Sequence, residues 1–63
     1  MDREEIQALV TEAKALLMQH RRMTEPEAHR YLQRQAMDRR LTKLTIAVQV
    51  IHYYKKMADF RAS

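Results

Sequence analysis

Met23-Thr24-Glu25-Pro26-Glu27-Ala28 is the stretch that decides how this chain folds. Thr24 and Glu27 stand in the T-x-x-E spacing of a capping box. The threonine hydroxyl can accept from the Glu27 N–H while the Glu27 carboxylate reaches back to the Thr24 N–H. Pro26 falls in the first turn, where a missing N–H costs nothing and the fixed φ suits a helix. The carboxylates of Glu25 and Glu27 complement the positive helix end. A helix therefore opens at about residue 25. Downstream, Ala28, Tyr31, Leu32, Gln35 and Ala36 recur at helical spacing as an inward stripe in which Gln35 is the one polar member. This predicts a helix over about residues 25–38. Upstream, Ile6, Leu9, Val10, Ala13, Leu16 and Leu17 form a second stripe and predict a helix over about 3–20, broken at Arg21-Arg22-Met23. Beyond, Thr42 is a suitable N-cap. Leu44, Ala47, Val48, Ile51 and Tyr54 mark the core face of a third helix, over about 42–58. The connections are short and no repeat or flexible linker appears. The expected fold is all-α, a compact three-helix bundle that forms one domain over residues 1–63.

Composition narrows the function. A chain of 63 residues holds one small domain. It has no Cys, which excludes a disulfide framework and thiolate metal sites, and no Gly, which excludes a Gly-rich phosphate loop and argues against hairpin turns that need φ > 0. No apolar run approaches the ~20 residues that span a bilayer. Met1-Asp2-Arg3-Glu4-Glu5 lacks the apolar stretch of a signal peptide, so a cytoplasmic location away from membranes is expected. His20, His29 and His52 have no partner at metal-ligand spacing. Ser63 is the only Ser and is terminal, and Thr24 and Thr42 are accounted for as caps. Neither catalysis, nor a metal, nor a cofactor is expected.

Two features exceed what a bundle needs. On the third helix, Ile46, Val50, Tyr53 and Met57 make a second apolar stripe nearly opposite Leu44 and Ile51, and Phe60 extends it. Such a heptad-like seam points to a dimer or a docking surface for a larger protein. The other reading is that the first two helices together cover both faces. The second feature is charge. The chain carries 12 Lys+Arg against 8 Asp+Glu, a net charge of +4, and eight of the cations are Arg. Lys14, Met18 and Arg21 run along the first helix beside its apolar face. Arg30, Arg34 and Met37 repeat that spacing on the outer face of the second, and Arg39, Arg40 and Lys43 cluster in the following turn. Guanidinium groups fork onto phosphates and stack on unpaired bases, so an Arg-rich face suits nucleic acid. It also suits plain solubility.

Taken in order, four segments resemble the ANTAR domain. They are Ala13-Lys14-Ala15-Leu16-Leu17-Met18, Met23-Thr24-Glu25-Pro26-Glu27-Ala28, Leu32-Gln33-Arg34-Gln35-Ala36-Met37-Asp38, and Leu44 to Ile51 with Ala47. The resemblance covers about residues 6–54. It implies a bacterial three-helix module that binds paired RNA hairpins in a nascent leader transcript. Holding them prevents the overlapping terminator hairpin, which is transcription antitermination. It also implies a module that usually ends a sensor or response regulator and is often controlled by dimerisation. By matched position it makes Lys14 and Arg34 the leading RNA-binding residues. Arg21, Arg30, Arg39, Arg40 and Lys43 join them from charge and helix face. Ala13, Ala28, Ala36 and Ala47 become close-packing positions. Many members have Gly where this chain has Ala15, the better helix former.

Three readings follow. The first is an RNA hairpin binder that acts in antitermination. The second is a helical protein-interaction or dimerisation module working through Ile46, Val50, Tyr53 and Met57. The third is a DNA-binding helix-turn-helix, opposed by a third helix too apolar to read base edges.

Overall fold

A computed structural model describes the backbone of residues 2–62 and the side chains of residues 2–58. Phe60 and Ser63 lie outside the described side chains. The chain is a bundle of α1 (Arg3–Arg21), α2 (Glu25–Arg39) and α3 (Lys43–Ala62). The most extensive packing is between α1 and α3, and α2 lies against both.

The capping box at the head of α2 is complete. The Glu27 N–H donates to Thr24 Oγ1 at 3.3 Å, and the Thr24 N–H donates to Glu27 Oε1 at 3.0 Å. The Thr24 hydroxyl also donates to the same carboxylate at 2.9 Å. The backbone donation from Thr24, with its hydroxyl second, holds the Glu27 carboxyl below its ordinary value of 4.5. A carboxyl lowered by folding stabilises fully above its unfolded value. That contribution is lost as pH falls through the lower folded value. Thr24→Ala is expected to cost about 1 kcal/mol near neutrality. The gap between wild type and variant should narrow in urea denaturation between about pH 6 and pH 2. A gap that stayed constant across that range would show the Glu27 carboxylate to be uncoupled from the cap.

Thr42 caps α3, its hydroxyl accepting from the Thr45 N–H at 3.1 Å. The other helix ends carry a surprise. α1 and α2 both stop on a left-handed residue, a position usually taken by Gly, and in a chain without Gly both are Arg: Arg22 at φ 55° and Arg40 at φ 56°. That conformation costs a residue with a Cβ roughly 1 kcal/mol. At the end of α2 the geometry returns something. The Leu41 N–H donates to Ala36 C=O at 2.9 Å and the Arg40 N–H to Met37 C=O at 3.3 Å, a paired cap of otherwise orphaned carbonyls. The cation also sits at the negative end of the helix.

The core is Val10, Ala13 and Leu17 from α1, Ala28, Leu32 and Ala36 from α2, and Ile46, Ala47, Val50, Ile51 and Tyr54 from α3. Ile6, Leu9, Leu16, Tyr31 and Met57 pack around it. Ala13, Ala28, Ala36 and Ala47 are all buried, each helix bringing at least one small side chain to the interfaces. The seam of α3 is where the structure departs from the partner reading. Ile46 and Val50 belong to the core of their own chain, and Met57 is half-buried against it; of the four, Tyr53 is the exposed one. The reason is that α3 lies against α1 and α2 at once, so both of its apolar faces are used internally. Val48, expected in the core, is 46 % exposed. It lines an open trough of about 500 Å³ with Leu9, Ile51 and Lys55.

Candidate nucleic-acid interface

The expected cations fall into separate settings. Lys14 is largely covered, with 15 % of its side chain exposed, and its ammonium lies 3.6 Å from the Glu25 carboxylate. It joins α1 to the first turn of α2 instead of standing on a free face. Arg30 and Arg34 are exposed on the side of α2 away from Ala28, Leu32 and Ala36, with Met37 exposed beside them. Arg34 is held only loosely, its Nε 4.0 Å from Asp38. Arg40 stands in the α2–α3 turn, and Lys43, the first residue of α3, is half-buried.

Arg21 and Arg39 come together with residues from all three helices. They line a groove of about 370 Å³ with Tyr31 and Gln35 of α2 and Gln49 and Tyr53 of α3; Leu17, Ile46, Val50 and Tyr54 line it too. Arg21 is positioned by two aromatic contacts. Its Nε donates to the Tyr54 hydroxyl at 3.2 Å, and its guanidinium carbon stands 5.4 Å from the Tyr31 ring centroid. The hydrogen bond to Tyr54 is the main reason the guanidinium is raised above its ordinary range, and the nearby Tyr31 acts in the same direction. Arg39 Nη1 donates to Gln49 Oε1 at 3.2 Å. Tyr54 is itself buried, stacked on His20 at 4.4 Å with the rings 10° apart, and Tyr53 meets it edge-on at 5.1 Å.

The result is a concave site with an apolar floor, two guanidinium groups, two side-chain amides and exposed aromatic surface. Cations suit phosphate, amides suit base edges and aromatic faces suit stacking. Sequence reading found Arg21 and Arg39 but not Tyr31, Gln35, Gln49 or the groove role of Tyr53. Gln35 was the available signal, a polar residue inside an apolar stripe. Tyr53 and Gln49 had none, because only the packing of α3 on α2 brings them to Arg39.

Among the described residues no three His, Cys, Asp or Glu side chains gather as a metal site would need, and no helix is long and apolar enough to cross a membrane.

The family model of the ANTAR domain matches residues 2–51. An aliphatic amidase regulator of Pseudomonas aeruginosa is 51 % identical over 45 residues, which cover 71 % of this chain and 23 % of that protein. A transcriptional regulatory protein of Mycobacterium tuberculosis, PdtaR, is 46 % identical over 50 residues, 79 % of this chain and 24 % of its own length. The chain thus spans about a quarter of the curated relatives it matches. No solved structure matches it significantly.

Proposed function

The chain belongs to the ANTAR domain family, and from that premise we propose that it is an RNA-binding antiterminator module, one that grips paired hairpins in a nascent bacterial leader transcript and keeps the terminator hairpin from forming. The observation that carries this reading is the gathering of Arg21 and Arg39 with aromatic and amide side chains in one groove, flanked along α2 by the exposed guanidinium of Arg34. Two curated relatives bear the names of regulators, which fits a binding role in place of catalysis.

In this reading Arg34 and Arg30 hold backbone phosphates from the outer face of α2, Arg39 and Arg40 hold them at its C-terminal end, and Lys43 lies at the start of the next helix. Lys14 contributes by fixing α1 to α2. The mechanism is competition between two RNA folds. A protein that binds one fold stabilises it by RT ln(1 + [protein]/Kd), about 2.7 kcal/mol at 100 times Kd, enough to tip a close contest. Such a module works on transcripts in the cytoplasm, within a longer regulator or beside a sensor or response-regulator partner. Ile46 and Val50 belong to the core, so a second copy would have to use other exposed apolar side chains, of which Val48 and Tyr53 line different hollows.

The test is a titration of a labelled two-hairpin leader RNA against duplex DNA of equal charge, at several salt concentrations. RNA binding that survives excess DNA, with a log Kd–log salt slope of several phosphates, is the expected result. Equal and weak binding to both, abolished at moderate salt, would reduce the cations to generic charge. Preference for the duplex DNA would favour the helix-turn-helix reading instead.

A further inference from the structure

We propose that the groove between the three helices is a single-nucleotide site that takes one unpaired base of the hairpin loop, stacked on Tyr53. This rests on the RNA reading and adds to it a named pocket and a named part of the ligand.

Four observations converge. The first is size. At about 370 Å³ the groove is at the small end of ligand sites, a volume that suits one nucleotide. The second is the aromatic arrangement. Tyr31 already carries the Arg21 guanidinium, and Tyr54 is buried and stacked on His20. Tyr53 is 57 % exposed and touches the other rings only edge-on, at an interplanar angle of 81° to Tyr54. It is the ring with surface left to offer a base.

The third observation is hydrogen bonding. Gln49 Oε1 accepts from Arg39, so its amide nitrogen is left as a donor. Gln35 is half-buried in the same groove and, among the described residues, has no hydrogen-bond partner from another side chain. Its amide atoms stay open to solvent, so they are available to a base edge, which carries both donors and acceptors. The fourth is charge. Arg21 and Arg39 line the groove from two different helices, so a nucleotide seated there has guanidinium groups in the same site for its phosphate. In a paired stem each base is already stacked and its edge engaged, so only a loop nucleotide is free to turn in.

The experiment uses the whole chain and hairpins carrying 2-aminopurine at one loop position at a time. An end label reports affinity by anisotropy, and 2-aminopurine emission reports stacking. The expected result is strong quenching at one loop position on saturation. Tyr53→Ala should remove that quenching and weaken binding about ten-fold, the usual scale for a base stacked on an aromatic side chain. Tyr53→Phe should retain both. An abasic nucleotide at the same position should cost wild type a similar factor and Tyr53→Ala nothing further, the signature of a direct pair. Because Tyr53 is exposed, Tyr53→Ala should keep its helical circular dichroism; Gln49→Ala, also at an exposed position, supplies a second variant of the same site. Hairpin binding that is intact in Tyr53→Ala to within two-fold, or indifferent to abasic loops, would overturn the pocket and leave RNA recognition standing. Failure of the wild type to bind any hairpin would overturn both.

Discussion

Leu32→Ala is expected to unfold a large part of the population at physiological temperature. Leu32 is wholly buried and, with Leu17, is one of the two largest side chains in that state. Truncating a buried Leu costs about 2–5 kcal/mol, from lost transfer energy plus the cavity left behind. A domain of this length holds roughly 3–9 kcal/mol in total, at 0.05–0.15 kcal/mol per residue. One substitution therefore removes from about a fifth of the stability to all of it. The collapse that softens such losses elsewhere is limited here. Leu32 lies between Ala28 and Ala36 on its own helix, small side chains that cannot expand into the hole. The midpoint of thermal unfolding, followed by circular dichroism, should fall by about 10–40 °C, since 1 kcal/mol shifts a domain of this size by about 4–8 °C. Met37→Ala, at a site 70 % exposed on the same helix, is the control and should change little. A loss below about 1 kcal/mol for Leu32→Ala would mean that the three helices pack more loosely than described.

Arg34→Glu is expected to weaken hairpin RNA binding by ten-fold or more while leaving the fold unchanged. The side chain is 85 % exposed and its one ionic contact, to Asp38 at 4.0 Å, is too exposed and too long to matter to stability. What reversal removes is a charge-assisted phosphate contact, and what it adds is a carboxylate facing a polyanion; a charged hydrogen bond alone is worth about 1.5–3 kcal/mol. The salt slope should fall by about 1, the mark of one phosphate contact fewer. Affinities of wild type and variant should converge at high salt. An unchanged affinity with an unchanged slope would take Arg34 out of the interface and confine recognition to the groove of Arg21 and Arg39. Unchanged thermal melting in the same variant is what separates a binding defect from a folding one.

The two substitutions test different layers of the same helix. One face of α2 carries Ala28, Leu32 and Ala36 inward, the opposite face carries Arg30, Arg34 and Met37 outward, and between them runs the groove row of Tyr31, Gln35 and Arg39. The first two faces were legible from spacing alone, because a period of 3.6 residues assigns apolar and charged positions to opposite sides. The third was not. Gln35 read as a flaw in the apolar stripe, and its place beside Gln49 becomes visible only once α3 is docked. Lys14 shows the reverse case. Its charge and its position on α1 suggested an exposed contact, yet the approach of α2 covers it and supplies Glu25 as its partner.

The sequence by itself determined the three helices, the cap that starts the second of them, the alanines that let them pack, and the basic character of the surface. These are local properties, written in periodicity, in the Thr24–Glu27 spacing and in composition. The tertiary structure alone decided that both apolar faces of α3 are used within the chain, which cations remain exposed, and that Arg22 and Arg40 take the left-handed conformation at the ends of α1 and α2. The reason is that α3 is apolar on two sides, so its own pattern allows either an internal or an external partner. Packing against α1 and α2 together resolves that ambiguity by burying Ile46 and Val50, and the same step leaves Tyr53 outside, at the mouth of the groove.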